Sequence, residues 1–284
     1  MPRITMVWFG KGRVPPGPGA GRVGSGRSER LIGEALRHVR RDAIFLASKV
    51  GWDWGPHDHP YHPEWIRSQV ERSLSQLRTD YIDLYYLHHC DFGPEDRYLD
   101  DAIGALERLR DEGKIGHIGL SDWKMSAIMR VIARVEPDVV QPYRNLLDDD
   151  YASSGLKAWV EAHDVGVAFF SPLRHGLLLG KYDEPTTFPE GDFRSNDPAF
   201  QNAALLDDLR RAADALRERF GGTCAAPVLH GVLGPLTEDA PGGCVLLGQR
   251  NPSQVEAAAA VGGAMSAADA AWVRSLYADL STEG

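Results

Sequence analysis

Along most of the chain the apolar positions switch between two repeats, and that switching defines the elements. Leu31, Ile32, Ala35, Leu36 and Val39 recur at helical spacing behind Ser28, a residue suited to capping, and Ala43 to Val50 then forms an apolar run closed by Gly51. A 3.6-residue repeat buries one helix face, whereas an almost unbroken apolar run suits a strand covered on both faces. The pair returns when His62 and Pro63 open a helix with Ile66, Val70, Leu74 and Leu77 on one side, followed by the strand Tyr81 to Leu87. A third helix, marked by Ala102, Ile103, Leu106 and Leu109, stops near Gly113 and precedes the strand Ile115 to Leu120. Met125, Ile128, Met129 and Ile132 lead to Val139 and Val140, and Leu156, Trp159 and Val160 lead to the strand Val165 to Phe170. A long helix, Leu205 to Phe220, comes before the last strand, Cys244 to Leu247, and Ala267 to Leu280 predicts a terminal helix outside the repeat. The segment Cys224 to Leu236 reads as poor helix, because Pro227, Gly231, Gly234 and Pro235 interrupt it.

Strands alternating with helices predict an α/β fold on a parallel sheet, and a TIM (β/α)8-type barrel closes with eight strands in about 250 residues. Six strands follow residue 40 of this 284-residue chain, so the N-terminus owes two. It offers Ile4 to Phe9 and then Gly10 to Gly26, whose seven glycines and three prolines make loop rather than strand. The expected organisation is an atypical Gly/Pro-rich segment over residues 1–23 and one barrel domain over residues 24–284, incomplete at its N-terminus. Such a barrel exposes sheet edges, which predicts homo-oligomerisation or instability.

Hydrophobic residues at 43% and charged residues at 25% allow a sizeable core without disulfides or metal. The formal charge of -9 supplies no basic face for a phosphate backbone, which argues against nucleic acid as the main partner and favours a small molecule. Cys90, Cys224 and Cys244 are odd in number and lack metal-type spacing, so a reducing, cytoplasmic setting is expected. The apolar run Ile4 to Phe9 is too short for a signal-peptide core or a membrane span, and no longer run follows it.

In a parallel barrel the chemistry gathers at the C-terminal strand ends. Those positions hold Lys49, His88 with His89, Ser121 with Asp122, Gln141, Ser171 and the turn Gly248 to Arg250. An amine ending an apolar strand is costly to bury unless something pairs with it or uses it, and an imidazole there can donate a hydrogen bond to a carbonyl oxygen. Ser48-Lys49-Val50-Gly51 and Asp80 to His88 resemble the aldo-keto reductases in order and spacing. Gly113 to Ser121 is similar to that family's approach to its fifth strand, Phe170-Ser171-Pro172-Leu173 with Gly176-Leu177-Leu178 and Gly180-Lys181-Tyr182 to its seventh, and Gly248 to Glu256 to its eighth. The resemblance runs from about Gly24 to Val261.

What the resemblance implies is reduction of a small aldehyde or ketone by NADPH on a TIM barrel, without metal. In the family a tyrosine protonates the carbonyl oxygen, tuned by a lysine paired with an aspartate and by a histidine; Lys49 and His88 match two of these four. By the same resemblance Ser121, Asp122 and Gln141 face the nicotinamide, Phe170 stacks on it, and Ser171, Leu173 and Gly176 line the pyrophosphate. Gly248, Arg250 and Gln254 fall where the family holds the adenosine 2′-phosphate and adenine. Departures accompany the matches: Asp122 stands where asparagine is usual, Arg144 where tyrosine is common, and Ala257 with Ala258 where the family has a Glu-Asn pair. Gly24-Ser25-Gly26-Arg27-Ser28-Glu29 keeps the tail of the second-strand motif, but its tyrosine position holds Val23 and its aspartate position holds Pro18. Valine has no proton to give, and proline no charge for Lys49. A misassigned start or an upstream change of frame is the expected cause, and a barrel that binds nucleotide or a partner protein without turnover is the alternative function. Water, His88 or another tyrosine could still carry residual turnover, with Tyr86 and Tyr61 as the candidate tyrosines.

His57, His59 and His62 have conceivable metal-ligand spacing but lie in a loop with Pro60 and Pro63, without a fixing scaffold. Trp52 and Trp54 suit a pocket wall, and Cys90 beside His89 reads as a bystander thiol, because neighbours on a strand point apart.

Overall fold

The structure is a computed structural model that describes residues 6–7, 26–240 and 242–280. The chain gathers into two compact units, one formed by Met1–Gln141 with His163–Val165, the other by Pro142–Ala162 with Gly166–Gly284.

In the first unit the order is β1 (Met6–Val7), α1 (Arg27–Ala35), β2 (Phe45–Val50), α2 (Pro63–Leu77), β3 (Ile82–Leu87), α3 (Leu99–Asp111), β4 (Ile115–Asp122), α4 (Met125–Val135) and β5 (Val139–Pro142). The strands pair in parallel in chain order, with β1 on β2, β2 on β3 and β3 on β4. The two-residue period of β2 separates its faces. Ser48 donates to the buried Glu29 of α1 at 2.6 Å, while Ala47 turns to the other face and packs with Leu84 and Tyr86, flanked by Phe45 and Val139. Parallel register sets Lys49 beside Tyr86 and Tyr86 beside Gly119. Any Cβ at position 119 would overlap the Tyr86 ring, so glycine is the residue that lets this tyrosine lie flat there.

Two expectations shift in this unit. Helix α1 begins at Arg27 with Gly26 as its N-cap at φ 76°, so Ser28 lies inside the first turn and does not cap. The left-handed backbone favours glycine, and a Cβ there would overlap the Gln76 side chain. Strand β2 starts at Phe45 rather than Ala43, because Arg41–Ala43 is wound into a 3₁₀ turn.

The second unit carries α5 (Leu156–His163), β6 (Gly166–Phe169), α6 (Ala203–Phe220), α7 (Pro227–Glu238), β7 (Cys244–Val245), α8 (Pro252–Ala259) and α9 (Ala267–Tyr277). Strands β6 and β7 pair in parallel. Leu205, Leu206, Leu209, Leu216 and Phe220 of α6 form a core with Val232 of α7 and with Ala270, Val273 and Tyr277 of α9.

Helix α7 contradicts the reading of Cys224 to Leu236 as poor helix. Pro227 occupies the first turn, where a missing N–H costs nothing. The glycines serve packing: a Cβ on Gly231 would meet Leu216, and one on Gly234 would overlap Met265. Gly231 to Leu236 are all buried, so tertiary contact outweighs low intrinsic propensity, and Pro235 is carried inside the helix. The buried Arg144 joins Asp149 through two hydrogen bonds of 2.7 Å and Asp239 through one of 2.5 Å, with its guanidinium 4.8 Å from the rings of both Tyr151 and Phe169. Lys157 and Arg274 also reach Asp239, tying α5 and α9 to the end of α7. Among the described residues no helix is long and apolar enough to cross a membrane.

Candidate active site

At the end of β2, Lys49 is 2% exposed, and its Nζ donates to Ser121 Oγ at 3.3 Å and to Gln141 Oε1. Ser121 Oγ in turn donates to the Gln141 carbonyl at 3.0 Å, which ties the ends of β2, β4 and β5 together. The ammonium lies 5.2 Å over the Tyr86 ring, and burial holds its pKa well below the usual lysine range. Gln141 is fully buried, and its Nε2 has no hydrogen-bond partner among the described residues. An unpaired buried donor of this kind costs about 1–3 kcal/mol, so the amide is a ready partner for a ligand oxygen.

His88 follows β3 and is joined to β2 by its N–H to Val50 O at 2.9 Å; the Trp52 ring meets its imidazole edge-on at 5.4 Å. Asp122 turns both carboxylate oxygens to backbone, accepting from Cys90 N at 2.7 Å and Lys124 N at 2.8 Å. An acceptor-only side chain suits that task, which gives a physical reason for a carboxylate where the family has an amide. The Cys90 thiol is buried against the Ser121 carbonyl and burial pushes its pKa up, while His89 is occupied with Gly51 O at 2.7 Å. Tyr61 donates to His89 O at 2.6 Å and accepts from His89 N at 2.9 Å, and burial pushes its phenol well up. Both changes suit a bracing role rather than proton donation. Pro18 and Val23 lie outside the described residues.

In the second unit Phe170 is buried, donates from its N–H to Pro142 O at 3.2 Å and meets Tyr143 edge-on at 5.5 Å. The loop that follows is sharply folded, with positive φ at Ser171, Arg174, His175 and Gly176. It is held by Arg174 N to Ser171 O at 3.0 Å and Gly176 N to Leu173 O at 2.8 Å. Arg174 is pinned by Asp148 and Asp197. Gly248 and Arg250 are exposed; Arg250 N donates to Gln254 Oε1 at 2.6 Å, and the Asn251 side chain caps α8.

The structure therefore brings Lys49, Ser121 and Gln141 into contact, with His88 on the adjoining strand end. Separately it gathers Ser171, Leu173 and Gly176 in one loop, and Gly248, Arg250 and Gln254 at one helix start. Tyr86, a candidate donor from the sequence, sits on the face of Lys49, as the two-residue period implies. Pattern reading missed Trp123, 47% exposed directly after β4, which no repeat marks, and Glu29, whose burial against Ser48 no sequence period reveals.

Parallel strands thus carry a buried lysine, a serine and a glutamine knotted at their ends, with a histidine beside them. The chain belongs to the aldo/keto reductase family, whose model matches residues 21–277. Aldo-keto reductase YhdN of Bacillus subtilis is 30% identical over 248 residues, covering 84% of this chain and 72% of that protein. An aldo-keto reductase of Schizosaccharomyces pombe whose name carries NADP(+) is 33% identical over 195 residues, 66% of this chain and 56% of that protein. The solved glycerol dehydrogenase of Gluconobacter oxydans superposes with a TM-score of 0.76 at 27% identity, over 92% of this chain and 80% of that chain. The fold is thus the TIM-barrel-like fold of the aldo-keto reductases.

Proposed function

We propose that the protein reduces a small aldehyde or ketone with NADPH. The observation that carries this reading is the buried amide of Gln141, a donor without a partner among the described residues, knotted to Lys49 and Ser121 at the strand ends. That donor set fits a nicotinamide carboxamide: Gln141 Nε2 would donate to its oxygen and Ser121 would order its amide. In the second unit, the family resemblance offers Phe170 as a ring to stack on a nicotinamide, Ser171, Leu173 and Gly176 as pyrophosphate contacts, and Gly248, Arg250 and Gln254 as contacts to the adenosine end; in the first, Asp122 holds its loop through Cys90 N and Lys124 N. When bound, NADPH supplies the hydride. His88 donates a hydrogen bond to the substrate carbonyl oxygen, and Lys49, whose ammonium is made more acidic by burial, delivers the proton to that oxygen directly or through water. Trp52, edge-on to His88 at 5.4 Å, would offer an apolar wall that suits a small carbonyl compound in the cytoplasm.

Val23 and Pro18, at the family's tyrosine and aspartate positions, favour a second reading, a barrel that binds nucleotide or a partner without turnover. Titrating NADPH into the protein while following tryptophan fluorescence and cofactor consumption separates the two. Quenching together with consumption supports the reductase, quenching alone the binder, and absence of quenching defeats both.

A further inference from the structure

The loop after β2 separates three histidines that the sequence clusters. His59 turns inward, 6% exposed and stacked on Tyr98 at 4.4 Å. His57 and His62 instead stack on each other with ring centroids 4.1 Å apart, and Glu64, in the first turn of α2, completes a group whose ligand atoms all lie within 4.8 Å of one another. His62 Nδ1 is buried and has no hydrogen-bond partner among the described residues. We propose that His57, His62 and Glu64 bind one late first-row divalent ion of the Zn2+ type, in a His-x4-His-x-Glu arrangement.

The loop has the bracing that a ligand set requires. His57 N donates to Trp54 O at 3.2 Å, His62 N to His59 O at 3.1 Å, and Gly55 N to Asp53 Oδ1 at 3.1 Å. Asp53 is itself anchored by both Nη groups of Arg72 at 3.1 Å, and the Trp65 indole donates to its carbonyl. Pro63 in the first turn of α2 fixes the backbone that carries His62 and Glu64. Ligand atoms on a tetrahedral ion with bonds of about 2.0–2.1 Å stand about 3.3 Å apart, and each imidazole holds the ion in its own ring plane, so the set closes when the His57 and His62 rings unstack by side-chain rotation and the ligand atoms draw together by about 1.5 Å. Glu64 is exposed and free to make that swing from its helix. Two imidazoles and one carboxylate suit Zn2+, Co2+, Ni2+ or Cu2+ better than Mg2+ or Ca2+, and three protein ligands leave one position for water. Occupancy clips the segment that carries Trp52 and Trp54 to the start of α2.

The test is a Co2+ titration of the full chain after treatment with a chelator, read by visible d–d absorption and by displacement with Zn2+. One saturable equivalent is expected, without the thiolate charge-transfer band that Cys90, Cys224 or Cys244 would add. Glu64→Gln should weaken binding at least tenfold and His57→Asn should abolish it, while both variants keep the metal-free melting temperature. Zn2+ should raise the melting temperature of the wild type and leave that of His57→Asn unchanged. No saturable binding by the wild type, or equal affinity in wild type and both variants, overturns the site.

Discussion

Replacing Lys49 by methionine separates stability from chemistry. Methionine keeps the apolar stem and removes an ammonium that is 2% exposed. Gln141 Oε1 and Ser121 Oγ then each lose a donor, although Ser121 keeps its own bond to Gln141 O at 3.0 Å. A buried acceptor left unpaired costs about 1–3 kcal/mol. Against that, the variant no longer desolvates a charge, a relief of about 1.4 kcal/mol for every pKa unit by which burial holds Lys49 below its unfolded value. The two contributions oppose each other, and the expected change at about pH 7 is within roughly 2 kcal/mol of zero. The sign with pH follows from the depressed pKa. Below the unfolded lysine value the unfolded chain holds the extra proton, so wild-type stability rises as pH climbs toward about 10.4 and is complete above it. The methionine variant lacks that rise. Urea unfolding at about pH 7 and about pH 9.5 should therefore show the variant losing ground to the wild type at the higher pH, while turnover falls about 10²- to 10⁴-fold. A variant with unchanged turnover, or a stability difference equal at both pH values, would refute the role given to this lysine.

Arg144→Leu removes the cation between Asp149 and Asp239. Asp239 keeps Lys157 and Arg274, so a loss of about 2–4 kcal/mol in urea unfolding is expected, and a loss under about 1 kcal/mol would show that the network is carried by those two. Arg250→Ala should weaken NADPH by about 10- to 100-fold in fluorescence titration and leave NADH nearly unchanged, as loss of a charge-assisted contact worth about 1.5–3 kcal/mol requires; parallel losses for both nucleotides would count against a 2′-phosphate contact. Burial raises the Cys90 thiol and pushes Cys244 up to about 11, so at about pH 8 a thiol reagent should label Cys224 ahead of both, and labelling of all three at one rate in the native protein would contradict that burial.

Most of the strand–helix rhythm is legible because each amphipathic helix and each apolar run advertises its own burial; Ile66, Val70, Leu74 and Leu77 all lie on the inner side of α2. Helix α7 is not legible, since what stabilises it is the room its glycines leave for Leu216 and Met265, a property of neighbours far along the chain. The start of α1 is misread for a related reason, because Gly26 meets Gln76 and its conformation outranks the capping preference of Ser28. Among the site residues, Lys49, Ser121 and Gln141 are readable as polar groups at strand ends, and the structure adds what spacing cannot, the contacts that join them. The split of His59 from His57 and His62 is likewise tertiary, decided by the Tyr98 ring.

The most direct test of the account is consumption of NADPH by the full chain against a panel of small aldehydes and ketones, with His88→Ala beside the wild type. Carbonyl-dependent loss of NADPH absorbance is expected, and His88→Ala should reduce it by about 10²-fold or more. NADPH that binds tightly and is never consumed, or consumption indifferent to His88, would contradict it.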